Sequence, residues 1–134
     1  MSESITFDLP LPPRECSPKA RAHYHRKARA VKWYRCAAAL AVSMKCHKRW
    51  LLSAATIQFE FTFQMNRRRD EDKLLASMKA AIDGFADAGI VHNESAFTVL
   101  PILIAAPNKN KQFVRVTITN DENNTKTEPQ HATP

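Results

Sequence analysis

Between Ile57 and Met65 the chain alternates without interruption, with Ile57, Phe59, Phe61, Phe63 and Met65 apolar and Gln58, Glu60, Thr62 and Gln64 polar. A period of two predicts a strand with one buried face. The same alternation is shorter at Ile5, Phe7 and Leu9, where it stops before Pro10, Pro12 and Pro13, residues that cannot extend a ladder. A first strand is therefore expected there. Phe97 to Ala105 and Gln112 to Thr119 are two further apolar-rich runs, joined by Pro107-Asn108-Lys109-Asn110. That turn chemistry predicts a terminal hairpin.

The pattern changes period elsewhere. From about Arg26 to His47 the chain is rich in Ala, Lys and Arg and contains neither Gly nor Pro, which predicts a long helix. Val31, Tyr34, Ala38 and Val42 recur three or four apart as a packing stripe, leaving Arg29, Lys32 and Arg35 outward. A second helix is predicted from roughly Glu71 to Ala88, closed by Gly89. Residues 14–25 lack clean periodicity and are expected to form an ordered arm, although Ser17-Pro18 also fits an N-cap and first-turn proline. The expected fold is α+β, a small mixed sheet packed against two main helices in one domain of residues 1–119. Residues 120–134 have almost nothing to bury and are expected to be a disordered tail.

Charge narrows the partner. Twenty Lys and Arg against thirteen Asp and Glu leave +7, and Arg14 to Arg35 alone carries eight basic residues and one acid within 22 positions. A surface of that sign attracts polyanions, nucleic acid first among them. Cys16, Cys36 and Cys46 show no CxxC spacing and no secretory leader precedes them, which predicts reduced thiols and a cytoplasmic location. No apolar run approaches the roughly 20 residues of a membrane span. With Gly84 and Gly89 the only glycines, there is no Walker or dinucleotide loop, so no nucleotide cofactor is expected.

The candidate chemistry lies where the alternating strand ends, in Arg67-Arg68-Arg69-Asp70-Glu71-Asp72. On an ideal helix with Asp72 at zero, Lys79 falls near about 340° and Asp83 near about 20°, so the three share a face. Leu74, Leu75, Met78, Ile82 and Phe85 form a separate packing stripe. Paired carboxylates at a helix start are hard ligands of the kind Mg2+ takes alongside water and phosphate oxygens. A bound metal would polarise a phosphoryl oxygen and activate water, with Lys79 as the cation offsetting charge. Glu94, after the helix, is the acid whose loop is expected to return to the same pocket. The plainer alternatives are that Asp70 and Asp72 complement the helix dipole beside the arginines and that Lys79 is an i,i+4 partner of Asp83. His23, His25, His47 and His92 have no spacing that resembles a zinc cluster.

Asp70-Glu71-Asp72-Lys73-Leu74-Leu75, with Lys79 and Asp83-Gly84, resembles the DxDN-then-helix pattern of the RusA-type Holliday-junction resolvases. Ser17-Pro18-Lys19-Ala20-Arg21-Ala22-His23-Tyr24 and Lys27 through Arg35 are similar to the arm and basic helix of the family's phage members. Asn93-Glu94-Ser95 falls where such proteins usually carry Asp-Asp-Ser. The resemblance implies a homodimeric, Mg2+-dependent endonuclease (Mn2+ as substitute) that cuts four-way DNA junctions symmetrically in recombination or repair. Carried over, Asp70, Asp72 and Glu94 are the metal-site acids, Asn93 supplies a carbonyl oxygen, and Lys79 lies near the scissile phosphate. The DNA-binding set is then Arg14, Lys19, Arg21, His23, Arg26, Lys27, Arg29, Lys32, Arg67, Arg68, Arg69 and Lys73.

The chain departs from the pattern at Lys19, Lys73, Asn93 and Glu94. One metal-site charge is lost at Asn93, and Lys73 either competes for the Asp72 carboxylate or binds phosphate itself. A member that binds junctions without cutting them is therefore the main alternative. A third reading, single-strand or RNA binding, draws on Tyr24, Trp33 and Tyr34 among the basic residues, although at helical spacing these rings also fit the packing stripe.

Overall fold

The alternating segment forms β2 (Ala55–Thr62), with Ala55, Ile57, Phe59 and Phe61 buried between half-buried Thr56, Gln58 and Glu60. The computed structural model describes residues 4–17, 23–46, 50–65 and 69–121. Among these, β2 joins β1 (Ser4–Leu9), β3 (Phe97–Val99), β4 (Leu103–Ile104) and β5 (Phe113–Asn120) in a five-stranded mixed sheet. The order is β1-β5-β2-β3, with β4 beside β2 further along the same edge. Residues that face one another across the ladders repeat the apolar pattern: Ile5, Ile118 and Ile57 form one row, Phe7, Val116 and Phe59 the next, and Leu9, Val114 and Phe61 the third. These rows are the floor of the core.

The expected hairpin does not form. β5 pairs antiparallel with β1 and β2, whereas β3 and β4 run parallel to β2. The reason lies in how the chain leaves β4. Leu100, Ala105 and Asn108 donate backbone N–H groups to the carbonyls of Ile57, Phe61 and Phe63 at 2.8–2.9 Å, so the chain follows one edge of β2 to its end. The turn after Pro107 then carries it around that end to the opposite edge. Pro101 interrupts the expected strand from Phe97 to Ala105, which survives as two short pieces, and Gln58 Nε2 clamps the break by donating to the Pro101 carbonyl at 2.6 Å. β5 also runs through Asn120, one residue past the expected domain boundary, while residues 122–134 of the expected tail lie outside the described residues.

Helix α1 (Tyr24–Lys45) starts and ends two residues earlier than expected. Its cap is His23, whose Nδ1 accepts from the His25 backbone N–H at 3.2 Å, while residues 18–22 lie outside the described residues. Tyr34, Ala38 and Val42 are the buried stripe, and the Tyr34 hydroxyl donates to the Pro10 carbonyl at 2.8 Å, tying the helix to the end of β1. Burial pushes that phenol well above its ordinary pKa, so it remains a donor. The second predicted helix is two pieces, α2 (Glu71–Ser77) and α3 (Lys79–Asp87), broken at Met78. The Ser77 hydroxyl donates to the Lys73 carbonyl at 2.9 Å, and the Met78 N–H reaches Leu75 at 3.0 Å, tightening the turn. Serine back-bonding of this kind bends helices. An ideal wheel drawn through Met78 therefore loses its phase. None of the described helices is long and apolar enough to cross a membrane.

α1 and α3 cross at Gly84. A Cβ there would collide with the Arg35 carbonyl oxygen and stand 3.1 Å from the Ala38 Cβ. The clash is with backbone, so no rotamer relieves it and the helices must part. Gly84→Ala gains the intrinsic helix propensity of alanine, up to ~1 kcal/mol, but overpacking costs about 1–3 kcal/mol. A net loss of stability is expected, measured as a lower urea midpoint.

Candidate functional site

Three features converge where β2 gives way to α2. Asp70 caps α2: its Oδ1 accepts from the N–H groups of Asp72 at 3.0 Å and Lys73 at 3.3 Å, as short acidic side chains do at helix starts. Its second oxygen makes no hydrogen bond among the described residues. Glu71 and Asp72 follow in the first turn, and all three carboxylates are exposed. With Arg69 they line an open depression, and Asp72 also borders a second one formed by Leu75, Val99, Leu100, Pro101 and Ile102. The acids therefore sit beside the β3–β4 connection.

Basic groups border the acids on the other side. Arg69 lies with its guanidinium 3.6 Å from the centre of the Phe63 ring and donates to the Met65 carbonyl at 3.4 Å. It shares a cleft of about 320 Å3 with Arg14, Lys73, Pro12, Pro13, Phe61 and Phe63. Three residues of the expected DNA-binding set thus meet in one place, drawn from the loop after β1, the loop after β2 and the first turn of α2. Arg26, Arg29 and Lys32 are exposed on α1, Lys27 is half-buried, and His23 is engaged in the helix cap. Lys19, Arg21, Arg67 and Arg68 lie outside the described residues.

Glu94 and Asn93 occupy a different neighbourhood. Asn93 caps a single 3-10 turn, Glu94–Ala96, by accepting from the Ser95 N–H at 3.1 Å. Lys79 Nζ reaches Asp83 Oδ1 at 3.3 Å and Glu94 Oε2 at 3.4 Å, so the turn is tied to α3. Asp83 and Glu94 together raise the Lys79 pKa, Asp83 contributing most. The i,i+4 pairing of Lys79 with Asp83 appears as the spacing suggested. The depression holding Asp83, Asn93 and Glu94 also contains Arg35, Asp87 and His92, and neither aspartate of α2 lines it. Among the described residues, no three His, Cys, Asp or Glu side chains form a group able to hold a metal ion. Asp70, Asp72 and Glu94 therefore do not make up such a group in this arrangement, and Glu94 is paired with Lys79 instead.

Sequence reasoning missed the strongest pair in the depression that holds Asn93 and Glu94. Arg35 on α1 grips Asp87 on α3 through Nε at 2.5 Å and Nη2 at 2.8 Å. The residues are 52 apart in sequence, and no local spacing signals the contact. The two-pronged hydrogen bond raises the Arg35 pKa and holds the Asp87 carboxyl below its ordinary range. A carboxylate with a lowered folded-state pKa stabilises the fold at pH values above its unfolded pKa, and loses that contribution as pH falls through the lowered value. Both side chains are nearly half exposed, 46% and 44%, so solvent screening limits the pair to about 0.2–1 kcal/mol. Asp87→Asn should lower the urea midpoint at neutral pH, and the gap from the parent should close as pH drops below about 4.

Cys16 is buried, Cys36 exposed and Cys46 intermediate, and none of the three forms a disulfide. Desolvation, with Glu15 adding to it, pushes the Cys16 thiol above its ordinary pKa, which makes it a packing residue rather than a nucleophile. Neither a protein-family model nor a curated protein matches the chain.

Proposed function

We propose that the chain is a Mg2+-dependent endodeoxyribonuclease selective for branched DNA, of the RusA resolvase kind that its sequence resembles, acting as a homodimer in the cytoplasm. The observation that supports it most is the juxtaposition at the end of β2: three exposed carboxylates beside a cleft bordered by Arg14, Arg69 and Lys73. Phosphodiester cleavage calls for that mixture, since cations must hold a polyanion while acids hold a metal against it.

Asp70 and Asp72 fit the ion on donor chemistry, because Mg2+ binds through one or two protein carboxylates and keeps water and phosphate oxygens for its other positions. When bound, the metal would supply a polarised phosphoryl oxygen and an activated water. The protein's own part is to orient: the Asp70 cap fixes the start of α2, and Arg69, held against Phe63, presents its charge to a strand. Lys79 is a weaker candidate for direct contact with phosphate while Asp83 and Glu94 share its charge.

That same engagement of Glu94 favours a second reading, a junction-binding protein that does not cut. One assay separates the two. A labelled synthetic four-way junction incubated with the purified chain should be cleaved in Mg2+ or Mn2+ and left intact in EDTA. Tight junction binding with no cleavage in either metal supports the second reading, and equal affinity for junction and plain duplex defeats both.

A further inference from the structure

We infer that Trp33, on the exposed face of α1, is a stacking platform for an unpaired nucleobase, with Arg26, Arg29 and Lys32 holding the adjoining phosphates. The inference rests on the reading above in taking DNA as the partner, and it specifies the substrate further: DNA with bases out of the duplex stack, as at a branch point or in a single strand.

Three aromatic residues lie in the first half of α1, and the structure sorts them. Tyr24, in the first turn, is 73% exposed with its ring 4.5 Å from that of His25, at the start of the helix rather than along its basic face. Tyr34 is fully buried with its hydroxyl spent on Pro10, so it is core. Trp33 is 53% exposed, a large apolar ring left in water on a helix that already has a complete packing stripe. Its indole lies nearly parallel to the Tyr34 ring, with centroids 6.1 Å apart and an interplanar angle of 25°. One side of the indole thus neighbours the buried Tyr34 ring, while much of its surface is open to solvent. A half-supported indole loses little freedom when something stacks on it.

The charge around it selects the partner. α1 carries six Lys and Arg and no acid over its 22 residues. Arg35 is satisfied by Asp87 and Lys27 is half-buried, but Arg26, Arg29 and Lys32 are exposed and have no ion-pair partner among the described residues. On the helical wheel Arg26, Arg29 and Trp33 fall within about 60° of one another. Cations in line with an exposed ring suit a nucleic-acid strand, where phosphates meet the charges and a base meets the ring. An unpaired base is required, because in an intact duplex the faces of the bases are covered by their neighbours. Leu40 and Met44 continue the exposed ridge without charge, so a second copy of the chain is the competing occupant.

The 134-residue chain has two tryptophans, Trp33 and Trp50, and Trp50→Phe leaves Trp33 as the sole indole reporter. Titration with a short oligothymidylate should quench its fluorescence, and a blunt duplex of equal length should not. Trp33→Ala should weaken oligothymidylate binding by about tenfold or more, with Trp33→Phe recovering most of the loss. Arg29→Gln should preserve quenching but reduce the dependence of log affinity on log salt by about 0.7. Because the ring is exposed, an unchanged melting temperature in Trp33→Ala excludes misfolding as the cause. Oligothymidylate binding without quenching, unchanged affinity in Trp33→Ala, or a Trp33→Ala effect confined to self-association by sedimentation would each overturn the inference. The outcome is separable from the nuclease assay: quenching with no cleavage retains the platform and removes the nuclease, and junction cleavage undiminished by Trp33→Ala does the reverse.

Discussion

Replacing Phe85 with alanine is expected to cost about 3–5 kcal/mol, the range for deleting a fully buried aromatic side chain and leaving a cavity. Phe85 has no exposed surface, and it is the point at which α3 meets both margins of the sheet. Its ring stands edge-on to Phe7 of β1 with centroids 5.6 Å apart, and to Phe97 of β3 at 6.4 Å. Such pairs contribute about 0.5–1.5 kcal/mol beyond the area they bury, so the loss falls toward the upper end of that range. Domains of this size have roughly 5–15 kcal/mol in total. Urea denaturation followed by far-ultraviolet circular dichroism measures the loss. A change under 1.5 kcal/mol would mean that Phe85 is not the joint between α3 and the sheet. Gly84 is its neighbour, and the double variant should not be additive because both residues set the same helix crossing.

The second large effect concerns activity. Asp70→Asn and Asp72→Asn should each reduce the proposed junction cleavage by about a hundredfold or more, since a metal ion's stabilisation of phosphoryl charge amounts to several kcal/mol. Asp70→Asn is the cleaner of the two, for a reason visible in the helix cap. Asparagine caps as well as aspartate, so the hydrogen bonds to the N–H groups of Asp72 and Lys73 survive while the charge is lost. Stability should hold to within ~0.5 kcal/mol apart from the helix-dipole contribution. Junction affinity in EDTA should stay the same or rise, because a negative charge has left a surface that meets phosphates. Either variant cutting at the parental rate would remove these carboxylates from the reaction.

Some of this was legible in the chain and some was not, and the division follows the range of the forces involved. β2 announced itself because its side chains alternate within a single strand, and the stripe of Tyr34, Ala38 and Val42 did so because helical periodicity is equally local. Pairing partners are not local. The run from Gln112 to Thr119 was correctly a strand, but nothing in its own pattern says that it passes β4 and inserts between β1 and β2. The break at Met78 depends on one serine hydroxyl choosing a backbone carbonyl, a choice open to any serine in a helix. At the site, the Lys79–Asp83 pair and the acids at the start of α2 could be read from spacing. Where Glu94 would dock could not, because its 3-10 turn is placed by the run into β3. The partnership of Arg35 with Asp87 was invisible for the same reason.

The position of β5 sets the order in which the molecule can be assembled. It is the last described strand along the chain, yet it lies between β1 and β2 and supplies a ladder to each, with pairs as distant as Ser4 and Thr119. A nascent chain that has not yet delivered residues 113–120 therefore has two unsatisfied strand edges and an apolar floor missing its middle. Local helices can form at that stage, but the sheet cannot close, so folding waits for translation to pass Asn120 and then proceeds through long-range pairings that are intrinsically slow. During that interval the exposed edges are templates for other chains, which makes this segment the place where slow synthesis or premature termination would show first as aggregation.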